Sequence, residues 1–215
     1  MDDYESKKRL QQQQETAPEN EGCLDTFYCI TLGMDKLYFI AVIPPQEIAD
    51  EVTAFKDVFA EQYESKAALR SPAHITLVSP FKVGELQHEK LLDWFAGLKP
   101  PVSKFALELK DFGMFANKRP VIFINPLLND SLSALQRWIE EEAIASKFFP
   151  PPSLPQREFH PHMTIAFKDL LPHRLKEAWP FFAQKSYDRT FEVSEIHLLQ
   201  HNGKEWKSIA TLKID

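Results

Sequence analysis

The feature that most constrains the fold is one order of secondary-structure patterns that occurs twice: strand, helix, strand, helix, strand. Apolar and β-branched runs predict strands and residues at helical spacing predict helices. In the first half the predicted strands are 36–43, 73–81 and 105–112, and the predicted helices are 45–63 and 86–98. In the second half the strands are 121–127, 161–167 and 191–200, and the helices are 130–144 and 173–182. A last strand, 206–214, follows an Asn-Gly turn.

The spacing within the two halves is also nearly equal. The first apolar strand begins 38 residues before His74, and its counterpart begins 41 residues before His162. Repeated units of this kind bury one face against each other. We therefore predict an α/β (α+β) domain with a duplicated bilobal fold, in which two antiparallel sheets face a central cleft and the helices lie outside. The lobes correspond to about 36–112 and 121–214.

The N-terminal segment differs from this body. Residues 1–22 contain a glutamine run without apolar periodicity, which predicts a disordered tail. Residues 23–215 are predicted to form the single bilobal domain, in which 23–34 is either an extra edge strand or an ordered arm. The longest apolar run, 37–43, is too short to span a bilayer, so no membrane association is expected.

Cysteine content and charge limit the setting and the partners. Two cysteines are too few for a disulfide framework or a zinc site of their own, and the first residues lack the apolar core of a secretory signal. A cytoplasmic location is therefore expected. The net charge is −6, divided equally between residues 1–22 and the rest. Such a body favours a small nucleotide or RNA end over a long nucleic acid, and we expect a monomer.

Two short motifs occupy equivalent places in the two halves. "AHITLVSPF" contains His74 and Thr76, and "FHPHMTIAF" contains His162 and Thr164. Side chains alternate along a strand, so each histidine is predicted to share a face with its threonine while the intervening apolar residues are buried. One His-x-Thr on a strand is unremarkable, but two copies at matching positions of a duplicated fold predict one shared site.

The paired motif resembles that of the 2H phosphoesterases, a family that includes bacterial 2′-5′ RNA ligase-like proteins and RNA cyclic phosphodiesterases. "FHPHMTIAF" is similar to the family's second motif, and "FGMFANKRPVIFI" at 112–124 resembles the turn and strand between its motifs. The resemblance covers roughly 36–214. It implies that His74 and His162 are the catalytic acid and base, that Thr76 and Thr164 bind phosphate, and that the substrate is a 2′,3′-cyclic phosphate or a related phosphodiester. RNA 2′-5′ ligation is a second activity that the family name carries.

The residue types suit this chemistry. Histidine titrates near neutral pH, so two histidines can hold opposite protonation states, and threonine hydroxyls can donate to phosphate oxygens. No metal or cofactor is required. Arg119 is predicted as a phosphate clamp at the cleft mouth and Phe115 as a base-stacking residue, although a solvated loop and the core are the plainer interpretations of the two.

Two alternatives remain open at this stage. His160 lies two residues before His162, so both could bind a metal with His74 as a third ligand. That arrangement gives a metal-dependent hydrolase but leaves both threonines without a role. The other alternative is a nucleotide- or RNA-binding module without turnover, which has little need for matched acid and base groups.

Overall fold

The structure is a computed structural model that describes residues 35–148 and 158–215. The predictions for 1–22 and 23–34 lie outside the described residues. The elements are β1 (Asp35–Val42), α1 (Gln46–Gln62), β2 (Ile75–Gly84), α2 (His88–Ala96), β3 (Phe105–Phe115), β4 (Val121–Pro126), α3 (Asp130–Ala145), β5 (Met163–Ala166), α4 (Pro172–Phe182), β6 (Asp188–Val193), β7 (Glu195–His201) and β8 (Trp206–Lys213). Two short 3₁₀ helices, Ala67–Arg70 and Glu85–Gln87, follow α1 and β2.

All eight strands belong to one antiparallel sheet, in the order β6-β3-β4-β5-β2-β1-β7-β8. The α/β class with antiparallel strands is therefore confirmed. The expected pair of separate sheets is corrected to one continuous sheet, because β2 and β5 pair at Ile75 and Met163. Outward from this junction, each motif strand is followed by the strand that precedes it in the chain, β1 on one side and β4 on the other.

The helices cover one face of the sheet and share its core. Leu132, Leu135 and Ile139 are fully buried along α3, as their helical spacing predicts. The Asn129 side chain caps this helix by accepting a hydrogen bond of 2.8 Å from the Leu132 amide. Helix α1 contacts β5 and α3 contacts β2, so each helix packs against a strand from the other half of the chain. None of the helices in the described ranges is long and apolar enough to cross a membrane.

The opposite face of the sheet, which we call the open face, has a small apolar cluster of its own. It consists of Phe39, Ala41 and Leu199, with Ile43 and Trp206 packed against it. These residues alternate along β1 and β7 with the core residues of the helical face, as strand geometry requires. The polar side chains of the two motifs can therefore project from this open face, away from the helices.

One predicted strand is wrong in its extent. The stretch 191–200 is two strands, β6 and β7, separated at Ser194. The reason lies in their partners: β6 pairs with β3 at one end of the sheet, whereas β7 pairs with β1 near the other end. The chain must break its ladder to pass between them, and the apolar pattern of the sequence carries no sign of this change of partner.

Candidate active site

The two motifs meet at the junction of β2 and β5. Ile75 and Met163 are cross-strand partners, and both side chains are fully buried on the helical face. Because the pairing is antiparallel, this register sets His74 across from Thr164 and Thr76 across from His162. Residues directly opposite in such a pair have Cβ atoms roughly 5 Å apart. The predicted meeting of the four side chains is thus what the strand register produces.

Each histidine is held by the same local hydrogen bond. Nδ1 of His74 lies 2.8 Å from the carbonyl oxygen of Pro72, and Nδ1 of His162 lies 2.8 Å from the carbonyl oxygen of His160. A carbonyl can only accept, so Nδ1 carries the proton and donates in both rings. Nε2 is therefore the nitrogen left to accept or deliver a proton, and no described residue hydrogen-bonds to it in either ring.

The histidines lie just before their strands rather than within them. The prediction placed strands at 73–81 and 161–167, but β2 begins at Ile75 and β5 at Met163. At these positions each ring forms a hydrogen bond with the carbonyl oxygen two residues earlier. The consequence is a fixed ring tautomer, which a side chain projecting freely from a strand would not have.

The threonine hydroxyls are available for a ligand. Thr76 and Thr164 are partly buried, and neither hydroxyl has a hydrogen-bond partner among the residues that the structure describes. Thr76 is paired with Ala41 of β1, and Thr164 is paired with Phe123 of β4. Two unpaired donors next to two imidazoles form a polar site on the open face, beside the apolar cluster of Phe39, Ala41 and Leu199.

Aromatic rings support both histidines. Phe39 packs against His74 with ring centroids 4.8 Å apart, and Trp206 packs edge-on against Phe39 at 4.6 Å. On the other side, Phe123 and Phe115 lie 5.5 and 5.4 Å from His162. His74 is therefore in contact with one aromatic ring, which a second ring supports, and His162 is in contact with two.

The surroundings of His74 keep its imidazole neutral. The pKa of His74 is lowered to about 4, against an ordinary value of 6.5, chiefly by burial and to a smaller extent by the positive charges of Lys56 and His162. The Pro72 carbonyl acts in the opposite direction by accepting from the ring.

His160 does not join the other two histidines. Its side chain is exposed and lies 3.5 Å from the Glu158 carboxylate, while its backbone carbonyl holds His162. The expectation of a regular strand with His160 and His162 on one face fails, since residues 158–162 are not in a strand. Within 35–148 and 158–215, no group of three or more His, Cys, Asp or Glu side chains could hold a metal ion.

The two remaining predicted residues lie at different distances from the motifs. Phe115 ends β3 and contacts both Phe123 and His162 through its ring. Arg119 lies in the exposed turn between β3 and β4, where its backbone amide donates a hydrogen bond to Oδ1 of Asn117. The structure gives the Arg119 guanidinium no contact with the histidines or threonines.

Sequence reasoning missed a buried cation behind the site. Lys56 is 2% exposed, and its Nζ atom donates a 2.9 Å hydrogen bond to the carbonyl oxygen of Ser71. The helical period of α1 admits either Phe55 or Lys56 on the buried side, and hydrophobicity favours Phe55. In the structure Phe55 is only partly buried, while Lys56 is buried. A signal was present, since Lys56 stands four residues after buried Val52.

Residues 44–205 match the family model described as the 2′-5′ RNA ligase superfamily. The chain belongs to this superfamily. The resemblance inferred from the paired motifs is thereby confirmed, and membership supports a phosphoesterase function.

Curated relatives agree with the family. A protein of Geobacillus kaustophilus named "Putative phosphoesterase" is 28% identical over 164 residues, covering 75% of this chain and 86% of the relative. The RNA 2′,3′-cyclic phosphodiesterase of Bacillus subtilis is 27% identical over 134 residues, covering 61% of this chain and 70% of the relative.

Solved structures share the fold. The crystal structure of E. coli LigT complexed with 3′-AMP superposes with a TM-score of 0.59 at 19% identity, over 84% of this chain and 99% of LigT. The LigT complex with NADP+ gives a TM-score of 0.57 at 18% identity, over 85% and 99% of the two chains. At these identities the likeness concerns the fold.

Proposed function

We propose that this protein is a metal-independent phosphoesterase that hydrolyses a 2′,3′-cyclic phosphate, or a related phosphodiester at the end of an RNA or nucleotide. The observation that carries the proposal is the antiparallel register at Ile75 and Met163, which gathers two imidazoles and two free hydroxyls around one point. A phosphoryl group with its attacking and leaving oxygens in line needs a base on one side and an acid on the other.

The lowered pKa of His74 favours one of the two roles for this residue. His74, with a pKa of about 4, is neutral at pH 7, so its Nε2 atom has a lone pair for a proton. We assign it as the general base and His162 as the general acid. A positive charge on His162 lowers the pKa of His74, which favours opposite roles for the two rings.

The reaction then runs as follows. Nε2 of His74 removes a proton from a water molecule, whose oxygen forms a bond to phosphorus. The bond from phosphorus to the 2′ or 3′ oxygen breaks, and His162 supplies the proton that this oxygen takes up. Thr76 and Thr164 donate to the non-bridging oxygens, where negative charge must be stabilised in the transition state. The product is a ribose monophosphate, and water returns the proton from His74 to His162.

Several observations support a small nucleotide as the substrate. The relatives include an RNA 2′,3′-cyclic phosphodiesterase, and LigT was crystallised with 3′-AMP and NADP+. The chain's net charge of −6 disfavours a long phosphate backbone. Phe115, beside His162, is a candidate base-stacking residue, and Arg119 is kept as a candidate clamp that reaches the substrate only from the turn after β3. A reducing, cytoplasmic setting and a monomeric state accompany this proposal.

The decisive experiment is hydrolysis of nucleoside 2′,3′-cyclic phosphates, with products resolved into 2′- and 3′-monophosphates. Wild-type protein should turn over such a substrate, and His74→Ala and His162→Ala should not. Specific nucleotide binding without hydrolysis by the wild type would instead favour the binding-module alternative. Joining of RNA ends bearing 2′,3′-cyclic phosphate and 5′-hydroxyl groups, assayed in parallel, tests the ligase activity.

A further inference from the structure

A groove of about 430 Å³ adjoins the site on the His74 side. It is lined by Arg70, Ser71 and Pro72 from the segment before β2, by Trp206 and Lys207 from β8, and by neighbouring residues. Pro72 links the two places directly, since it lines the groove while its carbonyl oxygen holds Nδ1 of His74. A ligand that extends from the motifs past His74 toward Pro72 would enter this groove.

The groove has an aromatic wall. Trp206 is partly exposed, and its ring packs edge-on against Phe39, which in turn packs against His74. Phe39 is only 3% exposed, so Trp206 is the ring of this pair that a ligand can reach. Indole faces bind nucleobases through stacking that depends little on base identity. Trp206 thus lies one ring beyond the catalytic imidazole.

The groove also has one uncompensated positive charge. Nζ of Lys207 lies 3.2 Å from the Glu205 carboxylate, so the charges of these two lining residues cancel. Arg70 is exposed at the end of the 3₁₀ helix Ala67–Arg70, and its guanidinium has no carboxylate partner among the described residues. A guanidinium presents donors in a planar fork that matches phosphate oxygens.

We infer that this groove binds the remainder of the substrate, with the base on Trp206 and a second phosphate, distinct from the reacting one, on Arg70. The inference rests on the proposed function and deepens it. A second phosphate is present on a nucleotide with a 5′-phosphate and also between the last two residues of an RNA. The chemistry is the same in both cases.

The test compares kcat/KM for three substrates: a nucleoside 2′,3′-cyclic phosphate, the same compound with a 5′-phosphate, and a dinucleotide ending in the cyclic phosphate. The two substrates with a second phosphate should exceed the plain one by roughly tenfold, the effect of one good polar contact. Arg70→Ala should bring both ratios to about one. A gain with the dinucleotide alone assigns Arg70 to an internal phosphodiester, and a gain with both assigns it to any second phosphate.

Control variants distinguish failure of the second-phosphate site from failure of the proposed phosphoesterase activity. Arg137→Ala removes an exposed arginine of α3, on the helical side of the sheet, and should leave the ratios unchanged. Trp206→Leu should raise KM more than it lowers kcat. Equal kcat/KM for all three substrates in the wild type, or ratios unaffected by Arg70→Ala, would overturn the second-phosphate site while leaving the phosphoesterase intact.

A readout without turnover covers the case in which no substrate is hydrolysed and the proposed function itself fails. Titration with a nucleoside 3′,5′-bisphosphate should shift the indole N–H signal of Trp206, assigned through Trp206→Phe. Arg70→Ala should weaken this binding by about tenfold. An unperturbed indole signal, together with equal affinity in wild type and Arg70→Ala, would show that the groove does not bind the nucleotide, whether or not the protein is an enzyme.

Discussion

Lys56 donates a hydrogen bond to the carbonyl oxygen of Ser71, one residue before the carbonyl that holds His74. Burial lowers the pKa of Lys56 to about 8, so the ammonium group is still mostly charged at neutral pH. A positive charge is thus fixed beneath the segment that orients the proposed base. It both positions the backbone and disfavours a proton on the imidazole.

The first prediction concerns pH. The base form of His74 is neutral, and its pKa is lowered to about 4, so kcat/KM should persist as pH falls below 6.5 and decline only near pH 4. In Lys56→Met the repulsion disappears, the pKa of His74 rises, and the acid limb should move to higher pH. Lys56→Arg should keep the limb near its original position. An acid limb that is the same in Lys56→Met and wild type would contradict this role, provided that thermal unfolding shows both to be folded.

The second prediction concerns the coupling of the motifs. In the proposed mechanism both histidines serve one phosphorus atom, so His74→Ala and His162→Ala should each lower kcat by roughly 10²–10⁴-fold with a small change in KM. The double variant should be little worse than the more damaging single one, since groups that act as a unit are not additive. Steady-state kinetics on a 2′,3′-cyclic mononucleotide measures both effects.

His160→Ala is the matched control for this series. The side chain of His160 is exposed, and only its backbone carbonyl reaches His162, so an alanine keeps the hydrogen bond. Its kcat should stay within a few-fold of wild type. If His160→Ala lowered kcat as much as His162→Ala, and His74→Ala left kcat nearly unchanged, the proposal of one site shared by the two motifs would be wrong.

The third prediction concerns metal ions. Neither the acid nor the base in our mechanism needs one, so hydrolysis should continue at full rate after prolonged dialysis against a strong chelator. Loss of activity in chelator that zinc or manganese restores would instead support the three-histidine metal alternative.

The fourth prediction concerns a link between the two halves. Asp169, after β5, accepts hydrogen bonds of 2.8–2.9 Å from the Ser65 hydroxyl and from the amides of Lys66 and Ala67. It caps the 3₁₀ helix that leads to the Ser71–Pro72 segment. Asp169→Ala should lower the free energy of unfolding by about 1–2 kcal/mol, the usual cost of a lost cap, and should also lower kcat.

Asp188→Ala provides the comparison in the same denaturation experiment. It removes a carboxylate whose ion pair with Lys110 lies on the surface, so the cost should stay below about 1 kcal/mol. Equal effects of the two substitutions would mean that Asp169 is an ordinary surface residue.

The fifth prediction concerns Gly113. A Cβ atom there would lie 2.5 Å from the ring of Phe123 and 2.7 Å from Oδ1 of Asn125. Gly113→Ala must therefore displace Phe123, whose ring contacts His162. We expect destabilisation of about 1–3 kcal/mol and a lower kcat. Gly84→Ala, where nothing lies within 4 Å of the added atom, should change neither quantity measurably.

The local pattern of apolar residues was sufficient to predict most of the helices and strands. Helical spacing located α1 to α4 within a few residues, and apolar runs located the strands, because one face of every element meets a common core. The paired motifs were also readable, since strand alternation with Ile75 and Met163 inward forces the flanking polar residues outward. These features depend on neighbours in the sequence.

The features that could not be predicted depend on partners distant in the chain. Gly113 was read as the end of a strand, yet β3 continues past it to Phe115, and the glycine is required by Phe123 on the next strand. Trp206 was read only as part of the last strand, because nothing local indicates that it packs against Phe39. The break at Ser194 has the same origin.

The order of strands also determines when the site can exist. On the β2 side of the junction, β1 is flanked by β7, and on the β5 side, β4 is flanked by β3. Each side therefore combines segments from both halves of the chain, and Phe39, which packs against His74, acquires its partner Trp206 only when the last strand has been synthesised. A nascent chain that has already released β1 and β2 from the ribosome must keep the outer edge of β1 unpaired until β7 emerges. Premature termination before Glu195 would thus remove support from His74, although that histidine lies in the first half of the protein.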